Sequence, residues 1–168
     1  MANTYELIET KALSSTTTSV TFTSIPQTYT DLVLQISARS TEAENGTSLR
    51  VYYNSSTANT TVLELRAVNT TIASYSVSYA QAGYIAGASS DANVFASATI
   101  YIPNYTSSNN KSSSGDIILP SNTRGNNYAV LSSRLWAVND AVTSITVACG
   151  GGSLAQYSNF YLYGIKKN

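Results

Sequence analysis

Nine carboxylates, nine cations and not one histidine set the limits on the chemistry that this 168-residue chain can perform. Imidazole is the ordinary acid, base and metal ligand near neutral pH, so its absence removes most hydrolase triads and most zinc sites. The enzymatic reading that survives best is glycoside hydrolysis, which needs only two carboxyl groups about 5 to 9.5 Å apart across a sugar. Glu42, Glu44, Glu64, Asp91, Asp116 and Asp140 are the carboxylates that could serve. Glu42 and Glu44 stand beside Asn45-Gly46, a pattern that more simply makes a solvated turn. Glu64 and Arg66 share one face of a strand, where they pair with each other or with a neighbouring strand.

Oxygen ligands can hold calcium without histidine, and Asp91-Ala92-Asn93 and Asn139-Asp140 are the segments that could contribute. Neither completes a calcium loop, and turn formation accounts for both. The run Gly150 to Gly152 lacks the Lys-Ser/Thr that follows a phosphate loop, so it reads as a hairpin tip or a point of close approach. Cys149 stands alone, which excludes an internal disulfide and predicts a buried small hydrophobe. No catalytic activity, metal or cofactor is expected.

What the chain has in excess is contact chemistry. Thirteen tyrosines lie among runs of serine, threonine and asparagine, and tyrosine supplies rigid amphipathic area at low entropic cost. Charged residues make up 11% of the chain, against about 25% in ordinary soluble proteins, so hydroxyls and amides do the solvating. A formal net charge of zero gives no electrostatic footprint for nucleic acid and little repulsion between copies. No run approaches the ~20 apolar residues of a membrane span. Met1 to Glu6 has no basic stretch leading into an apolar one, so no secretory leader is expected.

These residues must be positioned by strands. Leu32, Leu34, Ile36 and Ala38 alternate with polar neighbours across Asp31 to Arg39, the period of a strand with one buried face. Val20 and Phe22 read the same way. So do Leu49, Val51 and Tyr53, Leu63, Leu65 and Ala67, and Ala98, Ile100 and Ile102. Further strands are expected over Thr4 to Leu13, Ile117 to Leu119, Ala129 to Leu135, Ile145 to Val147 and Phe160 to Gly164. Turn-forming clusters separate them, at Glu44 to Gly46, Asn54 to Asn59, Ser89 to Asn93, Asn104 to Ser114, Asn122 to Asn127 and Gly150 to Gly152. Roughly nine to eleven short strands with no long helical pattern predict an all-β chain, a single antiparallel β-sandwich domain over residues 1–168, jelly-roll-like.

Tyrosine positions then divide into two sets. Tyr161 and Tyr163 alternate with Phe160 and Leu162, and Tyr52 and Tyr101 likewise point outward, so these four are the expected subunit-interface anchors. Tyr75, Tyr79 and Tyr84 lie in a less regular stretch that reads as a contact loop, and with Trp136 they are the candidates for a glycan platform.

The segment Ser19 to Leu34, the following Ala38-Arg39-Ser40, the run Tyr101-Ile102-Pro103-Asn104-Tyr105, Trp136 after Leu135, and the ending Gln156 to Lys167 carry a resemblance. Together they resemble small virion structural proteins of tailed bacteriophages, which occur as head decorations and as pieces of tail fibres. The resemblance implies a non-enzymatic subunit made in the bacterial cytoplasm and displayed on the virion surface. Its implied partners are copies of itself, expected as a homotrimer, and other virion proteins such as the major capsid protein. A head decoration or cement role leads, because the chain lacks a long coiled coil or repetitive shaft. A tail-fibre subunit that adsorbs to host surface glycans is the alternative. The family has no catalytic motif to carry over.

Overall fold

The structure, a computed structural model, describes residues 4–121 and 127–166. Twelve strands are present among them: β1 (Tyr5–Ala12), β2 (Ser19–Phe22), β3 (Asp31–Ala38), β4 (Gly46–Tyr53), β5 (Thr60–Val68), β6 (Thr71–Val77), β7 (Gln81–Ala86), β8 (Ala96–Ile102), β9 (Lys111–Leu119), β10 (Tyr128–Trp136), β11 (Ile145–Cys149) and β12 (Asn159–Ile165). They form an antiparallel eight-stranded sheet in the order β1-β12-β3-β8-β9-β10-β5-β6, and a four-stranded sheet in the order β2-β11-β4-β7.

The order follows a jelly roll with one insertion. When β8, β9 and β10 are counted as a single unit, the eight units from β2 to β11 place the first, last, third and sixth in the small sheet. The second, seventh, fourth and fifth then form the large one. The unit that is ordinarily one strand is here a three-strand meander, and β1 and β12 widen the sheet at its other end. The antiparallel sandwich expected from the alternation is therefore present.

Inward-facing residues of the two sheets meet in one core that includes Phe22, Leu34, Leu49, Val51, Ile100, Ile102, Phe160 and Leu162. On β3, β4, β8 and β12 the buried faces are those expected from the period-two reading. Gly164 completes the buried face of β12 because the Tyr29 ring lies flat against it, in the space a Cβ would fill.

Two departures matter for function. On β5 the expected buried set is inverted: Val62 and Glu64 point inward, whereas Leu63 and Leu65 are more than half exposed. On β10, Val130, Ser132, Arg134 and Trp136 point inward and Leu131 and Leu135 outward. Alternation reveals a strand but not which face the sandwich will cover, and here buried polar partners hold the less apolar face inside. The second departure is the stretch containing Tyr75, Tyr79 and Tyr84, expected as a loop. It forms β6, β7 and the short connection between them. β7 has nearly every residue buried and β6 is exposed on both faces, so neither shows the alternation of a half-buried strand. The turn expected over Asn122 to Asn127 lies, except for Asn127, outside the described residues.

Candidate functional site

The outer face of the eight-stranded sheet carries the most unusual surface. Register places Asp116, Leu131, Leu65 and Ser74 side by side across β9, β10, β5 and β6, with Ile118, Ala129, Ala67 and Ile72 in a parallel row. Leu63 and Leu135 extend the patch. Leu131 is 60% exposed and Ile72 72% exposed, and a groove of about 270 Å³ runs between Leu65, Ala67, Ile72, Ile118, Ala129 and Leu131. Covering apolar side chains gathered this way is favourable, by roughly 25 cal/mol for each Å² that a partner removes from water.

The other end of the same face carries tyrosines. Leu7, Tyr163, Val33 and Tyr101 lie in one row across β1, β12, β3 and β8, and Thr10, Tyr161, Gln35 and Thr99 in another. Tyr5, Gln35 and Tyr163 line one shallow hollow of about 260 Å³, and Tyr161 lines a second of about 280 Å³. Tyr101 donates from its Oη to Asp31 Oδ2 at 2.9 Å, and that bond, helped by partial burial, raises its pKa. Asp31 Oδ1 also accepts from the Asn104 amide at 2.8 Å. Three of the four expected interface tyrosines thus share one surface. Tyr52 does not: it lies on β4 beside Thr146, on the outer side of the small sheet.

Tyr75, Tyr79 and Tyr84 do converge, around a charged cluster that no local pattern revealed in full. The Arg66 guanidinium carbon lies 4.1 Å from the Tyr75 ring centre and 4.2 Å from that of Tyr84. Tyr84 stacks on Tyr128 at 5.3 Å. Arg66 Nη2 meets Glu64 Oε2 at 2.6 Å. The second Glu64 oxygen accepts from Gln81 Nε2 at 2.8 Å, and Gln81 Oε1 accepts from Tyr79 Oη at 2.7 Å. Glu64 is fully buried, while Tyr75 and Tyr79 keep about 40% of their surface exposed. The Glu64–Arg66 pair was legible from spacing. Gln81 was not, since its contact crosses between the sheets. Trp136 takes no part: it is 3% exposed, and its ring meets Tyr53 edge-on at 5.8 Å, so it cannot serve as a solvent-facing glycan platform.

The remaining carboxylates are dispersed. Glu42 lies against Gly151, which makes the glycine run a point of close approach, and the Glu44 carbonyl accepts from the Ser89 amide. Asp116 borders the apolar groove, and Asp140 sits exposed in the connection from β10 to β11. A concavity of about 430 Å³ along Thr10 to Thr21 is lined by hydroxyls and carries no carboxylate. Among the described residues, no group of three His, Cys, Asp or Glu side chains is placed to hold a metal ion.

At the loop containing Asp91 and Asn93, a cation of the protein's own already occupies the carbonyl shell. Arg39 Nη1 donates to the carbonyls of Asp91 at 2.6 Å and Val94 at 3.0 Å, and Nη2 to those of Ala88 at 3.2 Å and Ser90 at 3.0 Å. Asp91 Oδ2 accepts from Ser121 Oγ. Cys149 is only partly buried, though it packs on the core, and desolvation pushes its thiol pKa up.

No family model matches the chain, and no curated protein matches it. Among solved structures it is similar to an exo-inulinase from Aspergillus awamori, at 15% identity and a TM-score of 0.35 over 97% of this chain. The chain spans 29% of that enzyme's length. A toad ovary galectin in complex with thio-digalactose is similar over 76% of this chain and 98% of its own, at 9% identity and a TM-score of 0.25. Likenesses this slight carry no argument about function.

Proposed function

We propose that this chain is a non-enzymatic structural subunit of a bacteriophage particle, assembling with copies of itself and with neighbouring virion proteins. A capsid decoration or cement role comes first, as a compact sandwich without a shaft suits it. The single observation that carries the assembly reading is the apolar outer face of β9, β10, β5 and β6, where six leucine and isoleucine side chains stand exposed together. Exposed patches of this kind are characteristic of docking surfaces. The virion assignment rests on the resemblance of Ser19 to Leu34 and Gln156 to Lys167 to phage structural proteins.

The test is to place charge on that face with Leu65→Glu and Leu131→Glu together. Both side chains point to solvent, so the variant is expected to fold with a circular dichroism spectrum like the parent's. Its binding to particles lacking this chain should fall at least about tenfold, the effect of a loss near 1.4 kcal/mol. Undiminished binding would remove the face from the interface. A parent chain that never binds particles and stays monomeric at high concentration would remove the structural role.

Tyr75 and Tyr84 flank Arg66, and Tyr79 joins them through Gln81 and Glu64, an arrangement that favours a second reading, adsorption to host glycans by a tail-fibre subunit. Partly exposed rings beside a guanidinium offer both apolar contact and donors to a sugar. Glycan-array binding that disappears in Tyr75→Ala and Tyr79→Ala would support it. A blank array with the parent chain would discard it.

A further inference from the structure

We infer that strand β6 is a homodimerisation edge: it pairs antiparallel with β6 of a second copy about a two-fold axis at Ser74, joining two eight-stranded sheets into one. The inference deepens the assembly reading above, with a two-fold pair in place of the homotrimer that the resemblance implies, and rests on it for the expectation that copies associate.

Sheet edges normally carry devices that prevent such pairing. The opposite end of the same sheet, β1, carries Glu6, Glu9 and Lys11, with ion pairs from Lys11 to Glu9 and from Lys166 to Glu6, and a bulge between Leu7 and Glu9. In the small sheet, β2 is four residues long, and β7 has an irregular register with β4 and a Gly83 at φ 150°. β6 has none of these. Its seven residues, Thr71-Ile72-Ala73-Ser74-Tyr75-Ser76-Val77, contain no charge and no proline, and they pair with β5 in unbroken register from Val62↔Val77 to Val68↔Thr71.

The hydrogen-bond phase fixes which groups are free. Bonds from the Ala137 amide to the Asn59 carbonyl and from the Asn69 amide to the Asn127 carbonyl lie in the β5–β10 register. They turn the odd-numbered residues of β5 toward β10 and the even-numbered ones toward β6. Thr71, Ala73, Tyr75 and Val77 therefore bond to β5, and the amides and carbonyls of Ile72, Ser74 and Ser76 face outward at the edge.

Those three residues are self-complementary. An axis through Ser74 sets Ser74 against its own copy and Ile72 against Ser76, all in the hydrogen-bonded phase, for about six interchain bonds. Tyr75 then falls opposite Ala73, so each bulky side chain meets a small one. On the outer face, Ile72 of one copy lies next to Ser76 and one strand from Leu63 of the other, which makes the two apolar patches continuous. With no net charge on the chain, no long-range repulsion opposes the approach.

Charge introduced at the axis tests this while leaving the leucines and isoleucines of the patch in place. Ser74→Lys and Ser74→Glu are exposed changes, and each sets like charges face to face across the two-fold. By sedimentation equilibrium each variant alone should dimerise about tenfold or more weakly than the parent, and an equimolar mixture should recover a heterodimer. Ser74→Pro removes an amide that β5 does not use and should give the same loss while the chain stays folded. Parent-like dimerisation of Ser74→Pro, no recovery on mixing, or a parent chain that is monomeric at every concentration would each overturn the edge contact. The outer-face reading would survive the first two results, because Leu65→Glu with Leu131→Glu reports on particle binding independently.

Discussion

Replacing Glu64 with alanine is expected to destabilise the fold by about 3 to 5 kcal/mol, the cost of removing one partner from a buried ion pair. Its carboxylate is fully buried and satisfies two groups at once, Arg66 on its own strand and Gln81 across the sandwich. Without it the Arg66 guanidinium, 12% exposed, keeps its charge in a site where only aromatic faces remain, and Gln81 loses its acceptor. Glu64→Gln keeps an oxygen for one neighbour and should cost less than half as much. Urea unfolding followed by tyrosine fluorescence measures both. A shift of the alanine variant below about 1 kcal/mol would mean that water replaces the carboxylate and that the network contributes nothing net. Its place beneath Tyr75, Tyr79 and Tyr84 gives the experiment a second use, since those rings should lose their fixed spacing in the variant.

Arg39→Ala should rank next, at about 3 kcal/mol, because four backbone carbonyls lose one shared donor. These carbonyls belong to the segment from Ala88 to Val94, which the guanidinium draws into a closed loop between β7 and β8. Hydrogen exchange of the Ser89, Ser90 and Val94 amides, bonded to the carbonyls of Glu44, Gly87 and Asp91, should accelerate selectively as the loop opens. Lysine at the same position should recover only part of the loss, since an ammonium cannot spread four donors in a planar fork. Unchanged exchange in Arg39→Ala would show that turn geometry alone holds the loop.

Much of the candidate site was within reach of the sequence, but its most apolar part was read on the wrong side. Leu63 and Leu65 looked like core because leucine at every second position ordinarily is, and the strand expected over Ala129 to Leu135 carried no assigned face. In the structure Leu63, Leu65, Leu131 and Leu135 face solvent, and Glu64, Arg134 and Ser132 face inward with partners from the other sheet. Arg134 Nη2 donates to the Val51 carbonyl at 2.6 Å, and Ser132 Oγ to that of Ala82 at 3.0 Å. Acceptors such as these lie 50 and 83 residues away along the chain, so no local window could reveal them. Lys111 is a similar case. It is buried, donates to the Ser107 carbonyl at 2.7 Å and to that of Asn109, and desolvation lowers its pKa.

By itself the sequence determined the class of fold, most strand positions and the burial of β3, β4, β8 and β12, because alternation records a half-covered sheet wherever one face is greasy and the other is not. It also turned Tyr101, Tyr161 and Tyr163 outward on their strands and grouped Tyr75, Tyr79 and Tyr84 as contact residues. Tertiary structure alone decided which side of β5 and β10 the small sheet covers, that Trp136 is core, that Tyr52 stands apart, and that β6 ends the sheet undefended. Each of these depends on what lies opposite a strand or beside it, and a strand's own period carries no information about its neighbour.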